Sequence, residues 1–154
     1  MKNSDEFFMS LALDLAREAF MEREVPVGAV VVSEGKVVGR GKNLREKERN
    51  SLYHAEILAI NEACKKLNSW RLLGCSIYVT LEPCSMCAGA IINSRIKRLI
   101  FSAGHPKFGV AGSVTDLFLL PLGHKVEVIS GVLCVESSQL ISDFFKGIRK
   151  NKDY

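Results

Sequence analysis

Two short segments of this 154-residue chain carry residue types that hold a catalytic metal, His54-Ala55-Glu56 and Pro83-Cys84-Ser85-Met86-Cys87. Two thiolates and one imidazole make a three-ligand set that suits zinc and leaves a fourth position for water. Two thiolates and a neutral histidine cancel the charge of the ion, so it is a weaker Lewis acid than one held by three histidines. Splitting water there calls for a nearby base, and Glu56 can supply it. In a regular helix, residues two apart are separated by about 200°. His54 is therefore expected at a helix cap with non-helical angles, with Glu56 turned to the water and substrate instead of the metal. Cys84 and Cys87, three apart, fall on one face of a first helical turn, where the helix dipole and free N–H groups favour thiolates.

Alternatives to this chemistry remain open on spacing alone. Cys-x-x-Cys also fits a structural zinc half-site or a redox pair, and a lone histidine fits a core or surface position. A closed structural site needs a fourth protein ligand, for which Cys64, Cys75, Cys134, His105 and His124 are the candidates, and none falls in a second paired arrangement. Cys64, Cys75 and Cys134 lie in apolar segments and are expected as buried thiols. His124, beside Pro121-Leu122-Gly123, is expected as an exposed turn residue. Gly39-Arg40-Gly41 lacks a third glycine at Leu44, and there is neither a Walker loop nor a Gly-x-Ser-x-Gly elbow.

The elements that position these residues follow from hydropathy patterning. Ser4, then Asp5 and Glu6, predicts a helix start, and Phe8, Leu11, Ala12, Leu15 and Ala19 continue a helix over 5–21. Val25–Val32 reads as a buried strand, Ser33-Glu34-Gly35 as a tight turn, and Lys36–Asn43 as its antiparallel partner. After a charged loop at 44–53, Ala55–Leu67 is predicted helical, with Lys65 and Lys66 at its negative end. Ser76–Thr80 is a predicted strand, Pro83 a first helical residue, 84–93 a helix and Arg98–Ser102 a further strand. That strand, helix and strand make a right-handed crossover, so part of the sheet is parallel. A helical turn near 114–119, a strand at 125–130 and a helix at 134–150 complete an α/β chain. The expectation is a mixed sheet of about five strands with helices on both faces, in a single domain over 1–154.

Composition narrows the class. With 47% hydrophobic and 25% charged residues the chain has ample core, and its net charge of +4 permits a polyanionic partner without demanding one. Charge is uneven: three bases stand against six acids over 1–24, six against two over 36–49, and four against one over 146–154. Each run taken singly also fits a solvated face. Five cysteines and no charged-then-apolar leader argue for reduced thiols in a cytoplasmic setting. No apolar stretch approaches the roughly 18 residues of a membrane span.

The two metal-type segments resemble the zinc nucleoside and nucleotide deaminase superfamily. Further segments resemble, over nearly the whole chain, its bacterial tRNA-specific adenosine deaminase family. These are Glu24-Val25-Pro26-Val27-Gly28-Ala29-Val30, Gly41-Lys42-Asn43, Tyr78 to Cys84, Ser94-Arg95-Ile96, Ala111-Gly112-Ser113 and Ser142-Asp143-Phe144-Phe145. The resemblance implies a three-layer α/β/α cytidine-deaminase-like fold and hydrolytic conversion of adenosine to inosine at a tRNA wobble position. It implies one Zn2+ per subunit on His54, Cys84 and Cys87, with Glu56 moving protons between the water, the ring nitrogen and the departing amine. It also makes Asn43, Val27 and Lys107 substrate-binding residues, although Asn43 would also suit the close of a hairpin and Val27 a core position.

The implied partners are a tRNA anticodon loop and a second copy of the chain, with Phe144, Phe145, Lys146, Arg149 and Lys150 offering stacking and charge to the RNA. Either phenylalanine could instead pack the core. His105 departs from the family's usual Asp, and a protonated His105 could reach a phosphate. Two rival readings remain: a deaminase of free bases or nucleosides, and a zinc-stabilised RNA-binding module, against which Glu56 argues.

Overall fold

The computed structural model describes residues 2–152; the last two residues of the basic tail lie outside the described residues. The order of elements is α1 (Lys2–Met21), β1 (Gly28–Ser33), β2 (Lys36–Lys42), α2 (Ala55–Leu67), β3 (Ser76–Leu81), α3 (Ser85–Asn93), β4 (Arg98–Ala103), a 3-10 turn (Leu117–Leu119), β5 (Glu127–Ser130) and α4 (Cys134–Lys152). The five strands lie in the order β2-β1-β3-β4-β5. β1 is antiparallel to both β2 and β3, while β3, β4 and β5 run parallel. The opening hairpin turns on Glu34 and Gly35, both at positive φ (50° and 75°), as a tight two-residue turn requires.

Alternation along the strands sorts side chains into two cores. Ala29, Val31, Ile77, Val79, Leu99 and Phe101 face α2 and α3, with Ala59, Ala63 and Ile91 beneath them. Val30, Val32, Tyr78 and Ile100 face α1, meeting Met9 and Ala12. Phe20 of α1 stacks edge-on against Phe144 of α4, with centroids 5.9 Å apart, so α4 shares α1's layer. Helices thus cover both faces, and the central strands read as near-continuous apolar runs for that reason.

Two glycines set the spacing of these layers. A Cβ at Gly28 would come within 2.0 Å of the Ala12 carbonyl of α1, and one at Gly41 within 2.1 Å of the Ala55 carbonyl of α2. Bare backbone therefore lies against bare backbone on each side of the sheet. On the α1 side, Tyr78 donates its hydroxyl to Asp5 Oδ1 at 2.7 Å and Arg98 donates to Asp5 Oδ2 at 3.1 Å. Burial pushes the Asp5 carboxyl up, but the Arg98 and Tyr78 hydrogen bonds and the Arg98 charge outweigh it and hold Asp5 below its ordinary value of 3.8.

Several sequence expectations need correction. Ser4 lies inside α1, which runs on to Lys2 because nothing between them breaks a helix. Pro83 is not a first helical residue: Cys84 is the N-cap of α3, with φ −77° and ψ 176°, and Pro83 stands before it. Cys134 is exposed, because as the first residue of α4 it precedes that helix's packed face, whereas Cys75 is buried and Cys64 half-buried. His124 is half-buried, with its Nε2 2.7 Å from the Ile96 carbonyl oxygen, which draws the ring onto the end of α3's following turn. Among the described residues no helix is long and apolar enough to cross a membrane.

Candidate functional site

The chain runs down α2, up β3 and down α3, so the N-termini of α2 and α3 meet at the carboxyl end of β3. Ligand sites of open α/β sheets form at such ends. His54 is the N-cap of α2 with φ −78° and ψ 154°, an extended conformation, as the two-residue spacing to Glu56 requires. Cys84 caps α3 in the same extended conformation, and Cys87 follows in its first turn. The caps are what let a histidine and a cysteine point past the helix ends toward one another.

His54, Cys84 and Cys87 each offer a ligand atom, all within 4.8 Å of one another. His54 Nδ1 lies 3.6 Å from Cys84 Sγ and 3.5 Å from Cys87 Sγ. Ligands on a tetrahedral zinc, with bonds of about 2.3 Å to sulfur and 2.0–2.1 Å to nitrogen, stand about 3.6 Å apart. The donor set and its spacing therefore fit a tetrahedral ion with one position left over.

The Cys87 hydrogen bond and then His54 hold the Cys84 thiol down at about 3 against the upward push of burial. The neighbouring Cys84 sulfur and burial push the Cys87 thiol far up. Cys84 also raises His54. Glu56 is 4% exposed, and burial pushes its carboxyl up against the opposing pull of its own N–H, Cys87 and His54. A carboxyl raised toward neutrality can both take and return a proton.

His54, Glu56 and Cys84 face one cavity of about 360 Å3, lined also by Val27, Asn43, His105, Phe108 and Phe145, with Cys87 buried behind them. That is the size of a small-ligand pocket. Asn43 is 7% exposed; its Nδ2 donates to the Val25 carbonyl at 3.4 Å and its Oδ1 accepts from the Arg45 N–H at 3.2 Å. One amide hydrogen and one lone pair remain for a ligand. Val27 belongs to both the core and the cavity wall. Lys107 stands exposed on the same loop as His105 and is not among the residues lining the cavity. Phe144 is buried and Phe145 is 44% exposed, so one packs and the other faces the pocket.

A second, more open cavity of about 630 Å3 adjoins the first through Val25, Asn43, Arg45 and Phe145, and adds Arg23, Ile148 and Arg149. The sequence reading gives no role to Arg23, Arg45, Phe108, Glu24 or Glu82. For the two glutamates a signal existed: each is an acid beside an apolar strand. Glu24 is 1% exposed and accepts the N–H groups of Glu46 at 2.7 Å and Lys47 at 3.0 Å. Glu82 is 3% exposed; burial pushes it up, but the Ser113 hydroxyl and the N–H groups of His105, Ser113 and Ala111 outweigh this and hold it below its ordinary range.

Comparison with known proteins agrees with this geometry. The model of the MafB19-like deaminases matches residues 3–149. A tRNA-specific adenosine deaminase of Bacillus subtilis is 47% identical over 149 residues, 96% of this chain and 92% of that protein. A solved structure from work on A-to-I editing by tRNA:A34 deaminases superposes with a TM-score of 0.84 at 44% identity, over 87% of this chain and 98% of that one. The guanine deaminase of Nitrosomonas europaea reaches a TM-score of 0.80 at 26% identity, over 90% and 83%. This chain belongs to the MafB19-like deaminases and, within them, to the tRNA-specific adenosine deaminase family.

Proposed function

We propose that the protein is a zinc-dependent hydrolase that converts adenosine to inosine at the wobble position of a tRNA anticodon loop. The observation that carries this reading is a single cavity lined by His54, Cys84, buried Glu56 and half-satisfied Asn43, with the Cys87 sulfur beside the first two just behind its wall, opening onto an arginine-lined groove. His54, Cys84 and Cys87 would hold one zinc ion, which supplies Lewis acidity that makes water a proton donor near neutrality. The Glu56 carboxylate accepts that proton and passes it to N1 of the purine as the oxygen adds to C6. It then takes the second proton and delivers it to the departing amine, so water is consumed and ammonia released. Asn43 presents its free donor and acceptor to the purine edge, and Val27 offers apolar surface to the ring, with the more exposed Phe108 at the pocket's rim.

Recognition of RNA is the work of the adjoining groove. Phe145 and Ile148 offer apolar surface to a neighbouring unstacked base, and Arg23, Arg45 and Arg149 offer charge to phosphates. A free base in the first cavity would leave Arg23, Ile148 and Arg149 unused, which favours RNA over the nucleobase reading that the guanine deaminase likeness keeps in play. Exposed Lys107 would reach the RNA backbone beyond the base pocket. The implied homodimer would cover apolar surface at Val114, Leu119, Leu120 and Leu122, which are 56%, 82%, 50% and 49% exposed. A tRNA substrate sets this work in the cytoplasm.

The test is to incubate zinc-loaded protein with an anticodon stem-loop bearing adenosine at the wobble position, and in parallel with free adenosine, guanine and cytosine. Inosine in the RNA alone supports the proposal. Turnover of small molecules alone supports the nucleobase reading, and binding without turnover reduces the protein to a zinc-stabilised RNA-binding module. Analytical ultracentrifugation tests the dimer.

A further inference from the structure

One wall of the base pocket is held by Glu82, which borders the cavity beside Leu81 and Cys84 but whose carboxylate oxygens are taken up by a neighbouring loop. The segment 104–113 carries His105 and Phe108 into the cavity and has no regular secondary structure of its own beyond an isolated bridge at Ala111. Its backbone converges on the carboxylate of Glu82. Oε1 accepts the His105 N–H at 3.0 Å and the Ser113 hydroxyl in a short contact. Oε2 accepts the Ala111 N–H at 2.8 Å and the Ser113 N–H at 3.1 Å.

The loop wraps this carboxylate closely. A Cβ at Gly109 would lie 2.3 Å from Glu82 Cδ and 2.5 Å from each oxygen, so a glycine is needed for the backbone to pass. Glu82 itself is fixed from behind: its N–H donates to the Ala103 carbonyl at 2.8 Å, and Leu81 pairs with Ala103 in the sheet. The carboxylate is thus a rigid post on the sheet, two residues before Cys84, around which an irregular segment is gathered.

We infer that Glu82 is a positioning residue for the proposed deamination, its carboxylate spent on holding the His105–Phe108 wall against the base. The inference rests on the proposed deaminase reading for its effect on turnover, while its structural content stands apart from it. Four donors point at one buried acceptor, and removing the acceptor leaves N–H groups buried without partners. Glu82→Gln keeps the shape but introduces an NH2 group. The Ser113 hydroxyl can rotate to accept from it, so the amide sits best in place of Oε1 and leaves the His105 N–H orphaned. Gly109→Ala attacks the same contact from the other side by pushing the carboxylate off its donors.

The experiment measures kcat and KM on the anticodon stem-loop, zinc content, and hydrogen exchange of the 104–113 peptide. It compares wild type, Glu82→Gln, Gly109→Ala, the double variant and Ser113→Ala. A displaced wall weakens binding of the base in ground and transition states alike, so KM is expected to rise about tenfold with kcat nearly unchanged. Zinc stays at one per chain, and loop amides exchange faster. Because both substitutions break one contact, the double variant is no worse than the more severe single one. Ser113→Ala, which removes one donor only, moves KM in the same direction by less. Unchanged loop exchange in Glu82→Gln overturns the inference, as does a fall in kcat or zinc content at unchanged KM. If wild type deaminates no RNA, the functional reading fails, and loop exchange alone still decides whether Glu82 is the latch.

Discussion

The candidate metal corner and the pocket walls border one cavity, yet different physics holds each in place. His54, Cys84 and Cys87 sit on helix caps and a first turn, where α2 and α3 are packed on the sheet by Ala59, Ala63 and Ile91. The walls are loops, and each closes on a buried glutamate: Glu46 and Lys47 on Glu24, and the 104–113 segment on Glu82. A metal site on rigid elements tolerates little displacement, whereas a latched loop can shift and still fold. Damage to the corner is therefore expected in zinc content and kcat, and damage to the walls in KM.

The largest break comes from removing a ligand. Cys87→Ala should lose the ion and all turnover, and the protein should unfold at a lower temperature; zinc analysis by atomic absorption and thermal scanning check both. Next is Glu56→Ala, expected to lower kcat on RNA about 10⁴-fold while zinc and unfolding temperature are kept, since general acid/base residues contribute up to that size. Phe145→Ala on the wall side should raise KM for the stem-loop about tenfold, the scale of one lost base stack, with kcat little changed.

Smaller effects probe the frame common to both halves. Gly41→Ala forces a methyl group against the Ala55 carbonyl one residue from His54, and should cost about 1–3 kcal/mol in denaturant unfolding, with kcat lowered as well. The last effect is confined to acid. Asp5 is depressed in the fold, so its contribution is complete well above its ordinary value of 3.8 and is lost as pH falls through its lower folded value. The stability gap between wild type and Asp5→Asn should be full at neutral pH and close below about pH 3.8, as measured by urea titrations across that range.

This contrast also explains what the sequence could disclose. The juxtaposition of His54, Cys84 and Cys87 was legible because a candidate metal site needs particular residue types at fixed spacing, and because the His54 to Glu56 interval forces a cap. Strand and helix runs were legible for a similar reason, apart from ends such as Ser4, which lies inside α1, and the start of β1, which is Gly28 instead of Val25. The latches were not legible. Glu82 meets donors 23 to 31 residues away, and those donors are chiefly backbone N–H groups, which every residue but proline has. Only the acceptor leaves a trace, as an acid next to a buried strand. The arginine groove was legible in part: Arg45 and Arg149 fall in the basic segments 36–49 and 146–154, whereas Arg23 lies in the acidic 1–24 segment and joins them only in the fold.

The central claim is that one buried carboxylate beside a three-ligand metal corner deaminates adenosine within RNA. Its most direct test is mass spectrometry of digested anticodon stem-loop after incubation with zinc-loaded wild type and with zinc-loaded Glu56→Ala, free adenosine serving as the parallel substrate. The account predicts inosine at the wobble position with wild type, none above background with Glu56→Ala, and little from free adenosine. Comparable inosine formation by Glu56→Ala, or conversion of free adenosine with none in the RNA, would contradict it.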